Sequence, residues 1–335
     1  MTGQALKDKL RKAAKDQDLL FNELWHRLIL ERFLIRLSRS NQADKFILKG
    51  GTLLARYIPI KRETKDLDFL VTKLQGEKKA VGEALKSITE VSVNDGFTFH
   101  LESMEVLLHS HMKYPGFSAK MGCSFGKMKG KINIDIGLGD QVTPIEDSLR
   151  LLEANGIPVF GDSVSLLVYR PESIFSEKIQ TVVLRGAVNS RMKDYHDILS
   201  LIRTPDFLDL KVLSKQLKQT FIDRNTELKN LPITFTQEEL SQLQGYWESY
   251  RRKNTDRELR QARTNHLMAV NLSCKLSTVC LINNGPAVAA RQLIPITIRQ
   301  KWRRVFGSPF FACQAKCTAL DLNLGSLNTR LIFSL

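Results

Sequence analysis

Two aspartates one residue apart, Asp66 and Asp68, stand in the run KDLDFLV, where apolar residues alternate with them. Residues two apart on an extended strand share a face, so both carboxylates point one way while Leu67, Phe69 and Val71 point toward a core. Paired carboxylates on one edge are hard oxygen donors of the kind magnesium prefers, with substrate phosphates completing its shell. Upstream, Gly50 and Gly51 follow the apolar run Phe46 to Leu48 and precede Thr52 and a brief helical stretch. Glycines there let the backbone approach a ligand and leave amide N–H groups at the start of a helix, which favours an anion. Lys61, Arg62 and Lys65 add positive charge just before the carboxylates. A lone aspartate pair is usually solvated and a lone glycine pair is usually a turn. On consecutive elements they predict a metal-assisted phosphate site.

A third carboxylate comes from the run KINIDIG. Ile132, Ile134 and Ile136 alternate toward the core, so Asn133 and Asp135 face the other way. Aspartate is unfavourable in a strand, and its presence asks for a reason. If this strand lies beside that of Asp66 and Asp68, Asp135 completes a set that could hold two divalent ions about 3.5–4 Å apart, clamping the attacking and leaving oxygens of a phosphoryl centre. Further on, Pro171 suits the first turn of a helix whose buried face reads Ile174, Phe175, Ile179, Val182 and Val183. Lys178 falls on that apolar stripe. The ordinary fate of such a lysine is to reach solvent along its own aliphatic stem.

A glycine pair followed by aspartate–apolar–aspartate on the next strand resembles the nucleotidyltransferase superfamily related to DNA polymerase beta. The fuller wording, LKGGTLLARY and then RETKDLDF, resembles its AbiEii/AbiGii branch, the toxins of type IV toxin–antitoxin systems. IDIGLGDQVTP is similar to that family too, with an aspartate at Asp135 and another at Asp140, for which a structural turn role is expected. The run PESIFSEKIQTVVLRGAVNSRMKDYHDI resembles the family's C-terminal motifs, where a lysine of one helix and an aspartate of an R-x-K-D segment belong to the active site. Carried over, these are Lys178, holding triphosphate oxygens, and Asp194, orienting that lysine or the nucleotide. On that footing Lys178→Met should lower triphosphate affinity and leave stability alone.

The resemblance implies transfer of a nucleotidyl group from a nucleoside triphosphate to an acceptor hydroxyl, with magnesium or manganese. Asp66 and Asp68 would hold the metal on the triphosphate, and Asp135 would share a second one. Gly50, Gly51, Thr52, Arg62, Lys65 and Lys178 would line the nucleotide. The implied acceptor is the 3′ end of transfer RNA or another RNA, and a cognate antitoxin encoded alongside would need no direct contact. Transfer to a protein, or a non-catalytic nucleotide or nucleic-acid binder, stays open beside it.

These residues need a scaffold of α/β type: a nucleotidyltransferase core with a mixed sheet, an N-terminal helical layer and a C-terminal helical domain. The spacing of Leu20, Leu24, Leu28 and Phe33 to Leu37 predicts one long helix from Gln4 to Arg39, or two joined near Asp16 to Asp18. Glu77 to Val91 predicts an amphipathic helix, and Phe97 to Ser103, Phe117 to Phe125 and Lys131 to Gly137 predict strands. Expected boundaries are 1–39 for the helical layer, 40–165 for the core, 166–262 for the helical domain and 263–335 for an atypical tail.

The 335 residues carry a net charge of +15, but eight basic residues and a single acidic one, Asp321, fall between Thr264 and Leu335. What precedes is a mildly basic body able to attract phosphates. Cys274, Cys280, Cys313 and Cys317 share that tail, leaving Cys123 alone in the body. Their gaps lack the CxxC pairs of a zinc site, and one body cysteine argues for a reducing compartment. His109 and His111 lack a nearby carboxylate and are expected in an ordinary loop. The start MTGQALKDKL has no apolar signal region, and Leu267 to Ile282 is too short and broken by Lys275 to span a bilayer. A cytoplasmic protein with no membrane partner is expected.

Overall fold

The structure is a computed structural model that describes residues 1–253, apart from 61, 63, 75, 108–114, 155 and 229–234. Lys61, the loop with His109 and His111, and the tail from 263 with its four cysteines lie outside the described residues.

Two helices open the chain, α1 (Gly3–Asp16) and α2 (Phe21–Ser38). They are separate because Asp18 takes a left-handed backbone, φ 52°, which no helix interior accepts. The Thr2 hydroxyl caps α1 by accepting from the Ala5 amide at 3.2 Å. Helix α2 is buried from Leu24 to Leu37 except at His26 and Arg27, and polar Glu31, Arg32 and Arg36 go in with the rest. Its two buried arginines grip the turn at Asp95: Arg32 and Arg36 donate to it at 2.7 and 2.8 Å, and Arg32 also reaches Asp162 at 2.6 Å.

The centre is a seven-stranded mixed sheet. Its strands are β1 (Phe46–Lys49), β2 (Asp66–Val71), β3 (Phe97–Leu107), β4 (Gly116–Phe125), β5 (Met128–Leu138), β6 (Ile145–Ser148) and β9 (Ser165–Val168). The order is β3-β4-β5-β2-β1-β9-β6, while β7 (Glu153–Ala154) and β8 (Ile157–Pro158) form a separate small hairpin. Strand β2 lies between β1, antiparallel to it, and β5, parallel to it. The expected neighbourhood of the two aspartate-bearing strands is therefore present, with Asp68 opposite Asp135.

Ile132, Ile134 and Ile136 turn to the apolar face, where α2 packs against β5 and α4 (Lys78–Thr89) against β3. Approach is close enough there that a Cβ on Gly130 would lie 2.3 Å from Ile29 Cδ1. Leu70 is buried as fully as Leu67 and Phe69, since β2 is covered on both faces. Strand β3 runs four residues beyond its expected end at Ser103, to Leu107. Its outer half is an exposed edge carrying Glu102, Glu105 and Val106, and such a segment shows no apolar alternation to read.

Helix α3 (Gly50–Tyr57) starts on the glycine pair itself. Helices α5 (Pro171–Arg185), α6 (Met192–Arg203), α7 (Leu210–Asp223) and α8 (Gln237–Lys253) complete the described chain, with α5 packed on α3, α6 and α7. The mixed α/β class with a mixed sheet is as the sequence predicts.

Candidate active site

The β-sheet register lays out two rows of side chains on the face opposite α2. One row reads Lys49, Asp68, Asp135, Ser118 and Glu105 across β1, β2, β5, β4 and β3; the next reads Asp66, Asn133, Lys120 and Ser103. Each carboxylate has its own support. Asp135 accepts from the Ser118 hydroxyl at 2.7 Å, and Asp66 accepts from Asn133 Nδ2 at 3.1 Å. Asp68 lies against Gly50, where a Cβ would come 2.0 Å from Asp68 Oδ2 and where φ is +74°. Gly50 is thus required twice, by its backbone conformation and by the carboxylate beside it. Burial pushes the Asp68 carboxyl up to about 6; Lys49 opposes the shift, Asp135 adds to it, and Lys193 and Lys178 oppose it further.

The expected three-carboxylate cluster is looser than the sequence implies. Among the described residues no group of three or more histidine, cysteine, aspartate or glutamate side chains is gathered as a ready-made metal cage. Asp135 is held by a hydroxyl and Asp66 by an amide, while Asp68 lies against Gly50. The donors still fit a hard divalent cation. They are oxygens on one face of adjacent strands, Asp68 and Asp135 repel one another, and magnesium characteristically takes one or two carboxylates with waters and phosphates instead of a full protein cage.

Two buried ionic networks adjoin these rows, and Lys49 belongs to the second of them. In the first, Lys178 Nζ sits 2.9 Å from Asp194 and 2.7 Å from Asp197, and Arg62 closes a two-pronged bond on Asp197 at 2.7 and 2.6 Å. The Lys178 side chain is 11% exposed, so it does not reach for solvent along the stripe. Burial works against its charge, but Asp197 and Asp194 outweigh burial and leave its pKa raised. In the second, Lys49 lies 3.0 Å from Glu177 and 3.6 Å from Asp140, and Arg224 lies 2.8 Å from Glu177 and 2.9 Å from Asp140. The Tyr169 hydroxyl donates to Glu177 at 3.1 Å. Burial disfavours both Asp140 and Lys49 as ions, yet their opposite partners hold Asp140 well below the usual carboxylate range and Lys49 above the usual amine value.

Several expected roles change in this light. Thr52 is buried and its hydroxyl donates to the Asp66 carbonyl at 2.7 Å, so it ties α3 to β2 instead of lining a ligand. Arg62 has its fork on Asp197 and lies against Gly51, where a Cβ would be 2.8 Å from its Nη2; it clamps the loop before β2 to α6. Lys65 is exposed, and its carbonyl accepts from His26 Nε2 at 2.7 Å. Asp140 has more than a turn role, being half of the second network. Lys49, Glu177, Asp197 and Arg224 went unassigned in the sequence. Lys49 and Glu177 stand directly beside residues that were singled out, Gly50 and Lys178, but only the register reveals that Lys49 neighbours Asp68. For Arg224 no local signal exists.

A carboxylate row on a mixed sheet is thus opposed by one buried lysine of α5, Lys178, held by two aspartates of α6. A family model described as nucleotidyl transferase AbiEii toxin, type IV toxin–antitoxin system, matches residues 32–265, and the chain belongs to that family. No curated protein sequence matches it. Among solved structures, a Helicobacter pylori protein provisionally described as a nucleotidyltransferase is 15% identical, covering 78% of this chain and 99% of its own, with a TM-score of 0.43. JHP933 from Helicobacter pylori is 14% identical over 77% of this chain and 94% of its own, TM-score 0.38. An antigenic nucleotidyltransferase-like protein from Paracoccidioides brasiliensis is 16% identical over 58% and 88%, TM-score 0.31. Likenesses this distant carry no detail of the site.

Proposed function

We propose that the protein transfers a nucleotidyl group from a nucleoside triphosphate to an acceptor hydroxyl, with the 3′ end of transfer RNA as the acceptor, and that this is its toxic activity. The observation that carries the reading is the row Lys49, Asp68, Asp135 on three adjacent strands, with Lys178 and Lys193 near enough to influence Asp68. Oxygen of the acceptor hydroxyl attacks the α-phosphorus, the bond to the β-phosphate breaks, and pyrophosphate leaves with that electron pair. Magnesium or manganese held by Asp68 and Asp135, with Asp66 beside them, would supply charge neutralisation at the phosphates.

The chain's own residues position and balance charge, which is most of what such a transfer requires. Asp135, oriented by Ser118, faces the acceptor side and accepts the hydroxyl proton. Lys178 is held by Asp194 and Asp197, and exchanging one of those carboxylates for a phosphate oxygen keeps its charge matched. Lys49 offsets Asp68 from behind, with Glu177, Asp140 and Arg224 fixing its place. A family of type IV systems supports an antitoxin encoded alongside, acting without direct contact.

The test is incubation with each labelled triphosphate, magnesium and total RNA or total protein. Label is expected in RNA, at a transfer RNA end. Asp68→Asn and Asp135→Asn are expected to abolish it with the melting temperature unchanged or raised, since Asp68 is held as a buried anion at a cost. Transfer retained in either variant, or label in protein alone, would overturn the reading.

A further inference from the structure

The second row of the sheet does not end at the carboxylates. Asp66, Asn133, Lys120 and Ser103 continue it to the open edge of β3, lining a cleft of about 260 Å3 with Asp135. Ser103 also borders a larger open groove, about 680 Å3, between β3 and α4. Both touch that residue, where the β3–β4 register slips between Leu101 and Ser103. Among the described residues no strand pairs with the outer edge of β3, so its backbone groups are open to a ligand.

The groove has an apolar floor, Leu101 and Met104, and a basic wall, Lys78, Lys79 and Lys86 of α4. All three lysines are exposed, and none is in an ion pair among the described residues. Glu83 is the acid among them, while Glu102 is taken up by Lys131 at 2.8 Å. Seven to eight residues of helix spread the three charges over about 11 Å. We infer that this groove is the track for the acceptor's backbone: a single-stranded polyanion lies along α4, bends over β3 at Ser103 and delivers its terminal hydroxyl to Asp135. The inference rests on the nucleic-acid acceptor proposed above and adds where it binds. No aromatic side chain lines the groove, so contact is with phosphate and sugar and not with stacked bases. Binding is then insensitive to sequence and steeply dependent on salt.

The test is binding of the full chain to a fluorescent single-stranded RNA with a 3′ hydroxyl, over a series of salt concentrations. Lys78→Ser/Lys79→Ser/Lys86→Ser is expected to weaken binding about tenfold near 0.1 M salt and to reduce the slope of log Kd against log salt by about 2, at roughly 0.7 for each phosphate no longer neutralised. Lys211→Ser/Lys215→Ser/Lys218→Ser removes the same charge from α7 and is expected to leave the slope alone. Should serine unfold α4, Lys79→Gln/Lys86→Gln keeps helix propensity and is expected to lower the slope by about 1.4. Equal losses in the α4 and α7 triples would mean bulk charge and overturn the track. A dimer that dissociates in the α4 triple would assign the groove to a second copy and overturn it likewise. If the wild type labels RNA while the α4 triple binds RNA normally, only the track falls. If the wild type binds no RNA, the acceptor reading falls with it.

Discussion

Lys178 is where the side chain's surroundings change what a substitution should do. A lysine that merely touched phosphate would be replaceable by methionine without loss of stability, as the sequence implies. In the structure it is nearly buried between Asp194 and Asp197, so removing it leaves buried Asp197 to Arg62 and buried Asp194 to the half-exposed Arg191. Breaking a buried pair from one side costs about 3–5 kcal/mol. Lys178→Met should therefore lower the melting temperature as well as triphosphate affinity. Lys178→Met/Asp197→Asn should recover part of the stability and none of the transfer, because coupled partners are not additive. Additive melting losses in that cycle would show that the pair is not coupled.

At the scale of elements, α2 is the feature most exposed to pH, through the turn it grips. Burial alone would raise the Asp95 carboxyl, but hydrogen bonds from Arg36, the Phe97 amide and Arg32 outweigh it and hold it below its ordinary 3.8. With the folded value lower than the unfolded one, the unfolded chain binds more protons as pH falls through that range. The stabilisation from this turn is thus complete above the ordinary carboxyl value and lost in more acid solution. Asp95→Asn should lower the melting temperature at neutral pH and flatten its decline in acid, measured by melts from neutral to strongly acid pH. An unchanged slope would exclude Asp95 as a source of the acid sensitivity. The same elements show what the chain spells out in advance. Alternation in β2 and β5 exposes Asp66, Asp68 and Asp135 as a set, because each strand buries one face and period two survives. Asp95 and Asp162 escape notice, since loop carboxylates that meet arginines of α2 63 and 130 residues away leave no local pattern. Strands β6 and β9 are hidden for a similar reason: four residues are too few to show a period.

For the molecule as a whole, composition divides the chain near residue 263, and the family match ends at residue 265. A chain ending at Arg263 should fold and transfer nucleotide normally, and lose RNA affinity only at low salt, where the basic residues beyond it neutralise phosphate. Loss of transfer at saturating RNA in that shortened chain would make the tail an integral part. The second ionic network has a consequence in time. Lys49 meets Glu177 across 128 residues of sequence, and Arg224 completes the same cluster from further on. At about 5–20 residues per second of synthesis, the strand bearing Asp68 leaves the ribosome on the order of ten seconds before the side chains that balance Lys49 exist. A growing chain therefore carries the carboxylates of β2 before the opposing helices exist, and the second network closes only once α7 has been made.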